Sequence, residues 1–246
     1  MSSAPEISGV VPFYNEGAVA AGVIDELVNS MSKLGRTFEL VLVDDGSSDD
    51  TIEVLKRAQQ RSPSCRVLRH PRNVGQAAAL WNGLHAARGS ILVTLDGDGQ
   101  NDPSDLSMLL NRLADADMVI GFRANRQDSR LRLAMSRIAN AVRRYWLGDN
   151  MRDTGCALRV FRREVLQSFL PIRTLYSFIP AFAVGAGFRV VECPVTHRAR
   201  KAGISKYGLW VMLWRPFVDM IAVGWLMRRR LPPVQATEIS PGDSRS

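Results

Sequence analysis

The chain has 246 residues, of which 46% are hydrophobic and 23% are charged, a composition typical of a globular protein with a substantial core. The 32 lysines and arginines outnumber the 24 acidic residues and give a formal charge of +8, which favours phosphorylated ligands, an acidic bilayer or nucleic acid as partners. The three cysteines, Cys65, Cys156 and Cys193, are widely spaced and argue against a disulfide framework or a cysteine zinc site.

The N-terminal residues 1–6 contain neither the basic region nor the apolar run of a secretory signal. We therefore expect a flexible N-terminus and a protein body in the cytoplasm. Four short apolar runs then follow at intervals and are predicted to be buried parallel strands, namely Ile7 to Pro12, Phe38 to Val43, Cys65 to Leu68 and Ile91 to Leu95.

Longer segments with apolar residues at helical spacing lie between these strands: Glu16 to Lys33, Asp49 to Gln60 and Val74 to Arg88. A fifth strand, Met118 to Gly121, follows one further helix. This alternation predicts an α/β fold with a doubly wound, mostly parallel sheet flanked by helices. Ligands of such sheets bind beyond the carboxyl ends of the strands, so the residues that follow each strand are the first candidates for a site.

The second half of the chain is expected to elaborate the same sheet, with strand-like segments around Ala157 to Phe161 and Phe188 to Val195. The apolar stretch Gly208 to Met227 is interrupted by charged residues and a proline, contains three tryptophans, and leads into three arginines. This pattern predicts amphipathic helices over residues 208–230 that lie in a membrane interface, with a buried helical hairpin as the alternative. The catalytic domain is then expected over residues 7–207, and residues 231–246 are predicted to be a disordered tail.

Acidic residues follow the second predicted strand, where Asp44 and Asp45 stand side by side. At the carboxyl end of a strand, such carboxylates can accept hydrogen bonds from a nucleobase or from ribose hydroxyls. The neighbouring Ser48 and Asp49 are explained by helix capping, because they precede a helical segment. Tyr14, after the first strand, could pack against a base.

A second acidic motif, Asp96-Gly-Asp-Gly-Gln100, follows the fourth predicted strand. Its alternate carboxylates and nearby amide are oxygen donors that can converge on one hard divalent cation, Mg²⁺ or Mn²⁺. Such a cation can hold a diphosphate and stabilise it as a leaving group. The phosphate-binding loop of P-loop NTPases and the glycine fingerprint of dinucleotide-binding proteins are both missing from the sequence.

Five motifs, in this order and at this spacing, resemble glycosyltransferase family 2: Val11-Pro-Phe-Tyr-Asn-Glu16, Val43-Asp-Asp-Gly-Ser-Ser-Asp49, Arg72-Asn-Val-Gly-Gln76, Asp96-Gly-Asp-Gly-Gln100 and Gly203-Ile-Ser-Lys-Tyr207. The similarity covers about Ile7 to Met227. Within the family, the sequence is most similar to the dolichol-phosphate mannosyltransferases and the undecaprenyl-phosphate glycosyltransferases, including the aminoarabinose transferases.

This resemblance implies a GT-A fold, a divalent metal and inversion at the anomeric carbon. It assigns the nucleotide pocket to Pro12, Tyr14, Glu16, Asp44, Asp45, Gln76 and Asp96, and the metal to Asp96, Asp98 and Gln100. It also assigns the acceptor phosphate to Arg123, Arg200, Ser205 and Lys206, and catalysis to Asp153, Arg200 and Lys206. Asp153 takes the position of a general base, but a phosphate nucleophile is largely ionised at neutral pH and needs little help from a base.

The resemblance therefore implies transfer of a sugar from a UDP- or GDP-hexose to a polyprenyl phosphate, undecaprenyl or dolichyl, at the cytoplasmic face of a membrane. We expect peripheral attachment, with a separate membrane protein or a second copy of the chain as a further partner. Two alternatives remain open: a family 2 enzyme with a hydroxyl acceptor on a polysaccharide or glycerolipid, and a catalytically silent membrane-surface module. Nucleic acid is not expected as a partner, because no binding motif accompanies the charge.

Overall fold

The computed structural model describes residues 4–123, 141–198 and 209–230, and for residues 209–217 it describes the backbone alone. Seven strands form one sheet in the order β3-β2-β1-β4-β6-β5-β7. Their bounds are β1 Ile7–Phe13, β2 Phe38–Asp44, β3 Cys65–Arg69, β4 Ile91–Thr94, β5 Met118–Arg123, β6 Arg159–Arg162 and β7 Val190–Val195. The predicted strands are thus confirmed to within about three residues at their ends.

Helices cover both faces of this sheet. They are α1 Gly17–Ser32, α2 Thr51–Arg61, α3 Gln76–Ala86, α4 Leu106–Arg112, α5 (its described residues are 141–147), α6 Leu175–Gly185 and α7 Leu209–Met227. Short 3-10 turns occupy Pro103–Asp105, Leu113–Asp115 and Arg163–Ser168.

The buried strands supply two hydrophobic clusters, one on each face of the sheet. In β2, Leu40 and Leu42 belong to the cluster beneath α1, α2 and α4, whereas Val41 and Val43 belong to the cluster beneath α3, α6 and α7. Successive side chains of a strand point to opposite faces, so the part of a strand that apolar clusters cover on both sides is apolar at every position. This is why Leu40 to Val43 of β2 form a continuous apolar run, and the buried carboxylate of Glu39 next to it is paired with Arg66.

The direction of β6 decides what meets at the functional edge of the sheet. All described pairings are parallel except those of β6, which runs antiparallel to β4 and to β5. The carboxyl ends of the other six strands therefore share one edge with the amino end of β6. As a result, the turn at residues 153–155, which precedes β6, lies at the same edge as the Asp96–Gln100 loop, which follows β4.

The C-terminal helix α7 is a single element that continues through Pro216, where the sequence predicted more than one helix. Met220 and Val223 are buried in the second cluster, and Gly224 lies against the indole of Trp146, where an added Cβ would come within 2.1 Å of Nε1. In the described ranges, no helix is long and apolar enough to cross a membrane. At the other end of the chain, Glu6 N donates to both the carbonyl oxygen and Oγ1 of Thr37, and the Glu6 side chain pairs with Arg36.

Candidate functional site

A cleft of about 350 Å³ opens at the carboxyl ends of β1, β2 and β4. Six of the seven residues predicted to bind the nucleotide line it, together with one further predicted metal ligand. The predicted residues in the wall are Pro12, Tyr14, Glu16, Asp45, Gln76, Asp96 and Asp98, and the other lining residues are Phe13, Asn73, Gly75 and Gly97. The residues selected because they follow strand ends therefore line a single cleft.

Asp45 shapes this wall through the loop at residues 72–76. Its Oδ1 accepts from Val74 N at 3.0 Å and lies 2.6 Å from Nδ1 of His70, and its Oδ2 accepts from Gly75 N at 2.8 Å and Asn73 Nδ2 at 2.8 Å. Four donors fill the acceptor positions of one carboxylate. The side chain of Asp45 therefore holds the pocket loop in place, and its contact with the nucleotide stays a prediction.

His70 links this carboxylate to helix α3. Its Nε2 lies 2.8 Å from Nδ2 of Asn82, and an amide nitrogen can only donate. In that arrangement, Nδ1 of His70 donates the hydrogen bond to Asp45. His70 directly follows β3, so inspection of every strand end would have selected it, but its motif carried no signal in the sequence.

Asp44 is fully buried and does not line the cleft. Its Oδ1 accepts from Ser47 N at 3.1 Å, and its Oδ2 lies 3.2 Å from Nε of Arg69. Asp44 therefore builds the turn after β2, and its assignment to the nucleotide pocket stays a prediction without a contact to the cleft. The turn also requires Gly46, because φ is +67° and an added Cβ would lie 2.3 Å from the carbonyl carbon of Arg72.

The loop Asp96–Gln100 contributes two carboxylates, Asp96 and Asp98, to the wall of the cleft. Gly97 makes this possible, because an added Cβ would meet the ring of Phe13 at 2.5 Å, and Gly99 adopts a φ of +74°. Asp96 Oδ1 accepts from Nε2 of Gln76 at 2.7 Å, and Asp98 Oδ1 accepts from Gln100 N at 3.1 Å. Asp96 and Asp98, one on each side of Gly97, both line the cleft.

The donor set fits a hard divalent cation. In the described part of the chain, no group of three or more carboxylate, imidazole or thiol side chains converges as a metal site would. Of the three predicted metal ligands, the carboxylates of Asp96 and Asp98 line the cleft, and their role as ligands stays a prediction. Mg²⁺ is usually bound in this way, by one or two carboxylates with the remaining positions filled by water and substrate phosphates.

Gln100 is the last residue of the predicted metal loop, Asp96–Gln100, and does not line the cleft. Its Nε2 is 3.4 Å from Nε2 of His197 and 3.4 Å from the carbonyl oxygen of Arg198. His197 comes from the segment after β7 and forms a β-bridge with Asn101. Sequence reasoning missed His197, because the pairing joins residues about a hundred positions apart.

Asp153 and Arg123 form a bidentate ion pair at the amino end of β6. Nε of Arg123 donates to Oδ2 at 2.7 Å and Nη2 to Oδ1 at 2.8 Å, while the amides of Arg123 and Gly155 add bonds of 3.1 Å each. The backbone of this turn is fixed in addition by Glu192, which accepts from Asp153 N at 3.2 Å. The carboxylate thus faces a full positive charge and is saturated with donors.

Arg159, the first residue of β6, places a second cation next to this turn. Its side chain is buried, its Nη2 donates to the carbonyl oxygens of Thr154 at 3.2 Å and Tyr176 at 2.8 Å, and burial lowers the pKa of its guanidinium. Asp96 and Asp153 act in the opposite direction on that pKa. An arginine in this position supplies positive charge next to the acidic edge of the site.

The predicted acceptor residues Arg200, Ser205 and Lys206 lie outside the described residues, and their roles stay predictions. The roles of Arg123 and Asp153 also stay predictions, although the structure brings the two side chains into direct contact.

Comparison with known proteins identifies the family to which the chain belongs. The model of the family described as Glycosyl transferase family 2 matches residues 8–170. Dodecaprenyl-phosphate galacturonate synthase of Rhizobium johnstonii is 34% identical over 93% of this chain and 69% of its own length. Undecaprenyl-phosphate 4-deoxy-4-formamido-L-arabinose transferase of Pseudomonas aeruginosa is 39% identical over 84% of this chain. The matched part is 62% of that transferase, so the chain spans less than two thirds of its length.

Solved structures of glycosyltransferases share the fold. Glucosyl-3-phosphoglycerate synthase of Mycobacterium tuberculosis, in complex with Mn²⁺, UDP and phosphoglyceric acid, superposes with a TM-score of 0.66 at 25% identity, covering 98% of this chain and 84% of that one. The mannosyltransferase PcManGT of Pyrobaculum calidifontis, in complex with GDP-Man and Mn²⁺, has a TM-score of 0.64 at 22% identity over 94% of this chain and 67% of that one, which supports the fold alone. The GT-A fold expected from the sequence is confirmed, and the chain belongs to glycosyl transferase family 2.

Proposed function

We propose that the chain is an inverting, divalent-metal-dependent glycosyltransferase that moves a sugar from a nucleotide-sugar to a polyprenyl phosphate at the cytoplasmic face of a membrane. The donor part of this proposal rests on the cleft. Its wall combines the aromatic ring of Tyr14 with hydrogen-bonding side chains from three strand ends, and it also contains the carboxylates of Asp96 and Asp98. A nucleoside diphosphate needs both features, one for the base and ribose and one for the charged phosphates.

The cation is proposed as Mg²⁺ or Mn²⁺. Asp96 and Asp98 would hold it, and Gln100 lies next to them in the same loop. When bound, the metal supplies charge stabilisation for the departing diphosphate without any transfer of a proton. Glucosyl-3-phosphoglycerate synthase, which shares this fold at 25% identity, was solved with Mn²⁺ and UDP, which supports a divalent ion in this chain as well.

The observation that carries the choice of acceptor is the saturated carboxylate of Asp153. A hydroxyl acceptor must lose its proton during attack, and the carboxylate in the position of a base here accepts four hydrogen bonds, two of them from the guanidinium of Arg123. Such a carboxylate is a poor base. A phosphate monoester is already ionised at neutral pH, because its second pKa is about 6, so it needs no base at all.

The reaction is a single displacement. An oxygen of the acceptor phosphate attacks the anomeric carbon, a new carbon–oxygen bond forms, and the bond from that carbon to the diphosphate oxygen breaks with its electron pair on the leaving nucleotide. Attack from the opposite side inverts the anomeric centre. The residues of the turn at 153–155, with Arg123 and Arg159 next to it, are proposed to orient the sugar and the acceptor on the basic side of the site.

Peripheral membrane attachment is proposed from helix α7. Its described side chains present Val218, Ile221 and Trp225 to solvent, each at least 46% exposed. Arg229 lies over the ring of Trp225 at 4.8 Å, and two further arginines are its neighbours. Aromatic and apolar side chains beside a basic cluster are typical of helices that lie on an anionic bilayer.

Transfer of radiolabel to lipid tests the proposal. The protein is supplied with labelled UDP- or GDP-sugars, undecaprenyl phosphate, and Mg²⁺, Mn²⁺ or EDTA, and undecaprenol without phosphate serves as the matched acceptor control. We expect label in the organic phase only with the phosphorylated lipid and only without EDTA. Label transferred equally well to undecaprenol or to polysaccharide would support a hydroxyl acceptor instead, and no label with any donor would favour the catalytically silent alternative.

A further inference from the structure

The segment after β7 is paired with the metal loop. Arg198 N donates to the carbonyl oxygen of Gln100 at 2.9 Å, and His197 bridges to Asn101. Two residues before Arg198, Thr196 N donates to Asp105 Oδ2 at 2.7 Å. Residues 196–198 therefore run alongside residues 100–105 as a short antiparallel contact, and the position of the metal loop depends on where this segment is held.

The side chain of Arg198 holds the segment of residues 196–198 in place through two ion pairs. Nη1 lies 2.7 Å from Oε2 of Glu26 on α1, and Nη2 lies 2.7 Å from Oδ2 of Asp102. The other carboxylate oxygen of Asp102 accepts from the amide of Ser104 at 3.0 Å, so this acceptor is fixed by its own turn. The guanidinium of Arg198 thus joins three separate parts of the chain: helix α1, the turn that follows the metal loop, and the segment after β7.

This arrangement suits arginine in particular. A planar guanidinium offers two parallel edges and can pair with two carboxylates at once in a fixed geometry, whereas the ammonium group of lysine is a single point charge. The hydrogen bond with Asp102 is the main cause of the raised pKa of Arg198. A guanidinium is charged throughout the physiological pH range, so the clamp does not depend on pH through Arg198.

We infer that Arg198 is a positioning residue that sets the geometry of the metal loop through its clamp on Glu26 and Asp102. The inference rests on the proposed function, because it concerns the divalent cation that Asp96 and Asp98 would hold. Arg198 would touch neither the cation nor the substrate. It would act through the backbone pairing with Gln100, which places the loop residues that follow the two carboxylates.

A role in overall stability would look different. Arg198, Glu26 and Asp102 are partly exposed, and ion pairs of this kind contribute little to the free energy of unfolding because solvent screens them. The chain offers a matched control on the same helix: Arg61 pairs with Asp25 of α1 at 3.3 Å, is also exposed, and belongs to α2 rather than to the site. Loss of either arginine should have similar small effects on thermal stability.

The test measures Mn²⁺ affinity by the electron paramagnetic resonance signal of free Mn²⁺ in the presence of UDP or GDP. We expect R198M to weaken Mn²⁺ binding about tenfold, in the range usual for residues that support a metal ligand, and R61M to bind within about twofold of wild type. R198K and E26Q should fall between R198M and wild type, and they keep the test informative if R198M folds poorly. The melting temperatures of R198M and R61M should be close to each other.

Two outcomes would overturn the inference. If wild type binds Mn²⁺ and the R198M, R198K and E26Q variants bind it equally well, the clamp does not set the loop, while the proposed function stands. If wild type itself binds no Mn²⁺ with either nucleotide, the proposed metal site is wrong and the inference falls with it.

Discussion

The functional edge of the sheet has a proposed donor half and a proposed acceptor half, and each contains an aspartate whose carboxylate is saturated with hydrogen bonds. The donors differ: they are mainly neutral around Asp45, whereas Asp153 is paired with a charged guanidinium. On the donor half, at the ends of β1, β2 and β4, Asp45 is saturated by two amides, a side-chain amide and an imidazole. On the acceptor half, at the ends of β5 and β7 and the start of β6, Asp153 is saturated by an arginine. Carboxylates dominate the first half and buried or paired arginines the second, which suits a metal on one side and an anionic acceptor on the other.

The strongest way to break the comparison is to remove an acid from the donor half. We expect D98A to lower transfer about a thousandfold, as loss of a charge-stabilising group does in other active sites, without loss of the fold. D115A, at an exposed acid in a 3-10 turn away from the cleft, serves as the control. The measurements are the rate of label transfer and the far-ultraviolet circular dichroism spectrum, and near-normal turnover by D98A would contradict the metal assignment.

The acceptor half makes a different prediction, because Asp153 and Arg123 should act as a unit. We expect R123M and D153N each to lower turnover roughly a hundredfold, since each leaves a partly buried charge without its partner and lets the turn shift. The double variant R123M/D153N should be no worse than either single one. If Asp153 were a general base, D153N would be far more damaging than R123M, and comparison of the three rates decides between the two roles.

The donor half also depends on a close approach of two loops. We expect G46A to lower the free energy of unfolding by about 3 kcal/mol, because Ala is strained at a φ of +67° and its Cβ would overlap the backbone of Arg72. Gly35 is a matched control, because its φ is +66° but nothing lies within 4 Å of an added Cβ, so G35A should lose only about 1 kcal/mol. Urea unfolding measures both, and equal losses would show that the loop contact can relax.

The smallest expected effect concerns the membrane surface proposed on α7. We expect R229Q to weaken binding to vesicles that contain anionic lipid about fivefold, since one basic residue near such a surface contributes about 1 kcal/mol. The control R61Q removes an equal charge from α2 and should change binding little. Co-sedimentation at low and high salt measures the effect, and equal losses for both variants would show that net charge, rather than this face, drives attachment.

Much of the donor half could be predicted from the sequence, because its residues lie in short motifs directly after buried strands. The apolar runs identified the strands, and strand ends in a parallel sheet must meet, so Tyr14, Asp45 and Asp96 could be placed together without a structure. The saturation of Asp45 could not be foreseen, because it depends on the path of the 72–76 loop.

The acceptor half was harder to predict, because its geometry depends on the direction in which β6 enters the sheet. Arg123 was assigned to a phosphate from family resemblance, and its partner Asp153 lies 30 residues further on. Nothing in the apolar pattern of residues 157–161 showed that β6 would run antiparallel and enter between β4 and β5. That direction brings the turn at 153–155 to the functional edge.

The position of β6 has a consequence for the order in which the protein folds. Strands β3, β2, β1 and β4 form one side of the sheet and come from residues 7–94, whereas β6, β5 and β7 complete the sheet and come from residues 118–195. During synthesis, the first group of strands is available to pair before the second group has been made. We expect the acceptor half to become ordered after the donor half, so a chain emerging from the ribosome would acquire its nucleotide cleft before it acquires the place where transfer occurs.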